Sequence, residues 1–282
     1  MRILDNPEAR YWCRGFSALA GDSAMSLRDF VRSHSTGGRT LVEGTPEFAA
    51  LRDCVLREAD RSLFLAASHY RRSFDLLFPS AAPWAHVTLY YCAFFSARAL
   101  LLMHGAWPDP GKPSVEPTNG TPGSQEVRVL SGSQSKMMSA LPGSHEKFWD
   151  LFYGAAALMQ PWVNPKFAVA LTPVSSNPAW QIIARNRVNY DSWIACNVIR
   201  SVQLSFKPSS FPRTLPGDIN TQLTVSALLV ELAFTYARSF RLETDALSHF
   251  GPAGLRKQKV RRLIVDVPHS AIGRKRRHRA IL

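Results

Sequence analysis

Apolar residues recur at helical spacing through most of this chain. Thr45 can cap a helix N-terminus and Pro46 suits the first helical position. Leu56, Ala59, Leu63, Ala66 and Tyr70 then follow at i, i+3, i+7, i+10 and i+14, one face of a helix that should stop before Pro79. Pro83 opens the next helix. Tyr90, Phe94, Ala97 and Leu101 line one of its faces, and Tyr91, Phe95 and Leu102 line the neighbouring one. A helix apolar over most of its circumference belongs at the centre of a fold. Gly105 suits its C-terminal stop.

The pattern resumes at Ser144, which caps a helix over 145–159. Phe148, Leu151, Phe152 and Ala155 form its apolar face, and Pro161 ends it. Asn177 and Pro178 open a further helical stretch. It runs through a polar cluster and continues as Ala195, Ile199, Val202 and Phe206. Asp218 caps the last long helix, whose face is Val225, Leu229, Leu232 and Tyr236. Residues 105–143 differ in kind, with six Gly and six Pro, and only Glu126–Leu130 looks like a strand. A loop of this length is an insertion, with room for a small hairpin. Residues 1–44 are mixed, with Trp12 and Phe16 as anchors, a short helix around 25–33 and a Gly37-Gly38 break. The expected fold is an all-α antiparallel helical bundle of five or six helices with one long Gly/Pro-rich insertion. Its parts are an N-terminal extension (1–44), a helical domain (45–250, insertion 105–143) and a C-terminal tail (251–282).

Composition adds a partner class. The chain has 282 residues, 46% hydrophobic and 20% charged, enough to bury a sizeable core. Its net charge of +13 is unevenly spread. The tail carries +9, from Arg256, Lys257, Lys259, Arg261, Arg262, Arg274, Lys275, Arg276, Arg277 and Arg279 against the single acid Asp266, and the rest of the chain carries +4. Such a tail either binds a polyanion, releasing counterions as phosphates are neutralised, or is a solvated arm. It lacks an amphipathic face to enter a membrane. Cys13, Cys54, Cys92 and Cys196 form no CxxC pair, so no zinc site is expected, and three of them read as small core hydrophobes. The N-terminus has no signal-like apolar stretch. The longest apolar runs, 87–103 and 225–237, contain Arg98 and Glu231 and are short for a bilayer. A reduced, cytoplasmic protein is expected, with no cofactor, because no glycine-rich phosphate loop, metal-ligand pair or nucleophile elbow occurs.

The chemistry concentrates in Arg185-Asn-Arg-Val-Asn-Tyr-Asp191. On a helix, Arg185 shares a face with Asn189, Asn186 with Tyr190, and Arg187 with Asp191. Guanidinium forks fit phosphate oxygens, asparagine can hold a base edge, and a tyrosine hydroxyl can donate to developing charge. The plainer reading is an Arg187–Asp191 ion pair on a solvated face. Arg98, inside an apolar helix, needs a partner, with Asp191 or Glu146 as candidates. His104 reads as a favourable charge at a helix C-terminus, and His69, near Arg71 and Arg72, as a surface residue.

Three blocks in order resemble the HEPN superfamily of helical bundles. They are Tyr90-Tyr91…Phe94…Ala97-Arg98-Ala99-Leu100-Leu101…Gly105, then Ser144-His145…Trp149…Leu151-Phe152, then the Arg185–Asp191 cluster. The resemblance covers roughly residues 46–206. It implies a bundle that often dimerises. It also implies metal-independent endoribonuclease chemistry in phage defence or toxin–antitoxin systems. There an arginine, a polar residue and a following histidine hold the scissile phosphate and move the proton as the 2′-hydroxyl attacks. Arg185 and Asn186 match the start of that motif, and Tyr190 stands where the histidine would be. With an ordinary pKa near 10, a tyrosine is a poor general base. His145 is the candidate to replace it. The expected catalytic set is therefore Arg185, Asn186, Tyr190 and His145. Arg187, Asn189 and the tail cations are the expected nucleic-acid contacts. RNA is the expected partner, beside a second copy of the chain or a protein from the same operon. A different class of function is a catalytically inactive interaction module that holds such a protein, for example a nucleotidyltransferase.

Overall fold

The computed structural model describes residues 3–13, 25–34, 39–77, 81–107, 114–118, 126–130, 144–205, 217–242 and 245–250. Those residues build a predominantly α-helical bundle. Its helices are α1 (Pro7–Cys13), α2 (Leu27–His34), α3 (Pro46–Asp75), α4 (Ala82–Met103), α5 (Ser144–Met159), α6 (Ala168–Leu171), α7 (Trp180–Tyr190), α8 (Ser192–Ser205), α9 (Gly217–Ser239) and α10 (Asp245–Phe250). The basic tail and Phe16 lie outside the described residues.

Helix α3 starts where the Thr45-Pro46 signal places it, with Thr45 Oγ1 accepting from the Phe48 N–H at 3.3 Å. All five residues of its expected apolar face are buried. A six-residue connection returns the chain as α4, and the two helices make the most extensive contact in the molecule. α4 also packs on α5, α7, α8 and α9, as its all-round apolar surface requires. Among the described helices only α4 is long and apolar enough to cross a membrane, and 67% of that window is buried inside the molecule. Its one charge, Arg98, donates through Nη2 to Glu58 Oε1 at 2.9 Å. The need for an internal partner is met, but the partner is neither Asp191 nor Glu146. Glu231 in α9 likewise pairs with Lys166.

At the end of α4 the Ala106 N–H reaches Leu101 O and the Gly105 N–H reaches Leu102 O, a Schellman closure. Gly105 has φ +79°, and a Cβ there would stand 1.9 Å from the Trp12 indole. The corner therefore seats α1 on the bundle. Trp12, with Leu27, Phe30 and Val31 of α2, belongs to the same hydrophobic core as α3, α4 and α9.

Within the insertion, β2 (Ser114–Thr118) and β3 (Glu126–Leu130) pair antiparallel, and β1 (Arg39–Val42) completes a three-stranded sheet in the order β1-β3-β2. The pairing fits the small hairpin expected around Glu126–Leu130. β1 was not foreseen, because four residues carry too little alternation to stand out. Pro117 sits in edge strand β2, where a missing N–H is tolerated.

Three local expectations need correction. The stretch after Asn177 is two helices, because Asp191 adopts an extended conformation (φ −104°, ψ 103°). Its Oδ1 accepts from the N–H groups of Trp193 and Ile194 at 3.0 and 3.2 Å, capping α8. That carboxylate acts as an N-cap rather than as the i+4 partner of Arg187. α9 begins at Gly217, so Asp218 lies in its first turn and not at its cap. His104 is buried. Its Nδ1 meets Leu100 O at 2.8 Å, and Nε2 meets Asn6 Nδ2 at 3.1 Å. Burial lowers its pKa to about 4, so the ring is neutral at pH 7. Desolvation overrides the attraction of the helix end.

A candidate anion site between α4, α5 and α7

Three helices bring the site together. α4 contributes Tyr90, fully buried on the side facing α5. α5 contributes His145, its second residue, held because Phe148, Trp149 and Phe152 anchor this helix in the core. α7 contributes Arg185 and Asn186, with Ile182 and Val188 buried beneath.

The guanidinium of Arg185 lies over the face of Tyr90, 4.8 Å from the ring centroid, a cation–π contact. Its Nε and Nη2 donate to Asn186 Oδ1 at 3.1 and 2.6 Å. Among the described residues no carboxylate pairs with Arg185. A half-buried cation held by an amide and a ring keeps its charge available to an anion.

Tyr90 links the cation to the imidazole. Its hydroxyl stands 2.8 Å from His145 Nδ1. Burial pushes the phenol up to about 12, against the opposing pull of Arg185. Burial, with the Arg185 charge adding to it, lowers His145 below the ordinary histidine range. At neutral pH a protonated phenol thus faces a neutral imidazole. The hydroxyl can donate to Nδ1, or accept from it in the other tautomer. In the second arrangement Nε2 is a free base. Phe94 packs on the same imidazole at 5.1 Å between ring centroids, so one wall of the site is apolar.

A buried polar chain sets this geometry from behind. Gln181, one turn before Arg185, accepts through Oε1 from Gln222 Nε2 at 3.0 Å. Its own Nε2 donates to the Tyr153 hydroxyl at 3.3 Å, which also accepts from Trp180 Nε1 at 2.9 Å. Ser226, beside Gln222 on α9, donates to Leu89 O at 2.9 Å, next to Tyr90. These bonds fix α7 and α4 against α9, and so hold Arg185 over Tyr90.

Three of the four expected catalytic residues therefore gather: Arg185, Asn186 and His145. The hydroxyl at the imidazole belongs to Tyr90, while Tyr190 is 78% exposed at the end of α7. Arg187 and Asn189 are exposed on the same helix. The tail cations from Arg256 to Arg277 lie outside the described residues. Tyr90, Gln181 and Gln222 went unnoticed in the sequence as site residues. Tyr90 read as one more apolar position, and only the fold brings it to His145 across 55 residues. Gln181, four residues before Arg185 on an otherwise apolar turn, was the detectable signal. His69, expected at the surface, is half-buried and stacks on Phe95 at 5.6 Å. Among the described residues no group of His, Cys, Asp or Glu could hold a metal ion. Cys13, Cys54 and Cys92 are buried thiols and Cys196 is exposed. No family model, curated protein or solved structure matches the chain.

Proposed function

We propose that this chain is a HEPN-like cytoplasmic protein that engages RNA, with the Arg185–Asn186–Tyr90–His145 cluster gripping a backbone phosphate. The observation that carries this reading is the half-buried guanidinium, without a carboxylate partner among the described residues, over the ring that contacts the imidazole. A phosphate oxygen satisfies the guanidinium, and the adjacent imidazole is neutral and able to take a proton. In a cleavage reaction the 2′-oxygen attacks phosphorus and His145 takes its proton. The bond to the 5′-oxygen breaks, and that oxygen takes a proton from water as it leaves. The products are a 2′,3′-cyclic phosphate and a 5′-hydroxyl, and no metal is required. Such an activity suits phage defence or a toxin–antitoxin system, where a second copy of the chain would enlarge the cleft.

The test incubates the full-length protein with labelled tRNA and total RNA. Cleavage lost in both Arg185→Ala and His145→Ala supports the endoribonuclease. Intact RNA with salt-sensitive retention leaves an RNA binder. No cleavage and no retention sinks the proposal. The missing histidine after Arg185 favours a second reading, an inactive module that docks a partner protein such as a nucleotidyltransferase. Stable co-purification of such a protein from the native operon, without RNA, would support it.

A further inference from the structure

The outer faces of α7 and α8 are unusual in what they leave in solvent. All seven tyrosines of the chain fall within the described residues, six are buried or half-buried, and Tyr190 alone is exposed. Three residues on, Trp193 is 72% exposed; of the other tryptophans, all described, only Trp84 on α4 is also exposed, at 60%. Tyr190 and Trp193 flank the break at Asp191. Tyr190 shares a face of α7 with Ile183 and Arg187, both exposed, and Trp193 shares a face of α8 with Cys196 and Arg200, also exposed. The charges between 180 and 200 are Arg185, Arg187, Arg200 and Asp191, and the Asp191 carboxylate is engaged in capping α8.

This surface combines flat aromatic rings with positive charge, beside one exposed aliphatic side chain, Ile183. A buried protein interface would leave Arg187, Asn189 and Arg200 to be desolvated. A polyanion with accessible base faces satisfies both features. A duplex hides those faces in its stack, and a single strand presents them. We propose that Tyr190 and Trp193 are stacking platforms for bases of single-stranded RNA, with Arg187 and Arg200 meeting its phosphates. The proposal rests on the RNA reading above and extends it. Asn186, whose amide oxygen accepts from Arg185, lies one helical turn from Tyr190, about 6 Å along the axis. The Tyr190 ring, and not its hydroxyl, is then the functional part.

Fluorescence anisotropy of the full-length protein with a labelled single-stranded RNA, and with the duplex of the same sequence, tests this. Tyr190→Ala and Trp193→Ala should each weaken single-strand binding roughly tenfold. Duplex binding should stay unchanged, and Tyr190→Phe should bind like the parent. Both side chains are exposed, so the variants should fold, and circular dichroism checks this. Unchanged single-strand affinity in the two Ala variants overturns the platform, as does an equal loss for duplex. So does a dimer that Trp193→Ala splits into monomers while RNA affinity stays unchanged, since a second copy then covers the face. If Arg185→Ala abolishes binding and the platform variants do not, the platform falls and the RNA site stands. If the parent protein binds neither RNA, both fall together.

Discussion

His104 and His145 both stand near helix ends, and their surroundings decide what each can do. His104 is enclosed, and its pKa is lowered to about 4 by burial. The unfolded chain binds this proton near pH 6.5 and the folded chain does not. Stability is therefore full above pH 6.5 and falls as the pH drops towards 4, by on the order of 3 kcal/mol. Denaturant melts of the parent and His104→Gln at pH 7 and pH 4.5 should show a smaller acid loss in the variant. Equal losses would place the ring in solvent. His145 is half-buried, and its lowered pKa comes from burial and from Arg185. Removing that cation makes protonation easier. NMR titration should give a midpoint below 6.5 in the parent and a higher one in Arg185→Ala. An unmoved midpoint would separate the two side chains. Such effects are hard to foresee in a sequence, since His104 beside a helix stop reads as a dipole charge until the surrounding core is known.

Element boundaries were legible wherever one residue type enforces them. Thr45-Pro46, Pro83 and Gly105 each stand at a helix boundary that the structure shows, and Pro161 falls in the 3-10 turn Gln160–Trp162 that directly follows α5. The break at Asp191 was missed because apolar spacing continues across it, and an aspartate inside a periodic stretch looks like surface charge. Its capping role appears only when the backbone turns extended there. Gly105 is the sharpest case. Positive φ and the Trp12 indole both exclude a side chain. Gly105→Ala should cost about 2–5 kcal/mol, adding left-handed strain to overpacking. A thermal melt measures it, and a loss under about 1 kcal/mol would mean α1 does not seat on this corner. Arg241 closes α9 in the same way, with φ 54°. Its N–H and that of Leu242 reach Arg238 O and Ala237 O.

At the scale of the molecule, periodicity identified a helical bundle with α4 at its centre, because burial on all sides leaves an all-round apolar pattern. It could not show which helices meet. The site depends on that assembly: Tyr90, His145 and Arg185 come from three helices, and the Gln181–Gln222–Ser226 chain sets their spacing from inside the core. Arg185 and Asn186 of α7 stand across from His145 of α5, and the tyrosine at that imidazole is Tyr90 of α4, a neighbour that reading along one helix does not reveal. The proposed RNA site depends on Arg185 holding a phosphate. The most direct measurement is the affinity of a single-stranded RNA for the parent and Arg185→Ala across a range of salt concentrations. Losing one phosphate contact should weaken binding about tenfold and reduce the slope of log affinity against log salt by about 0.7. Superimposable curves for the two proteins would contradict it.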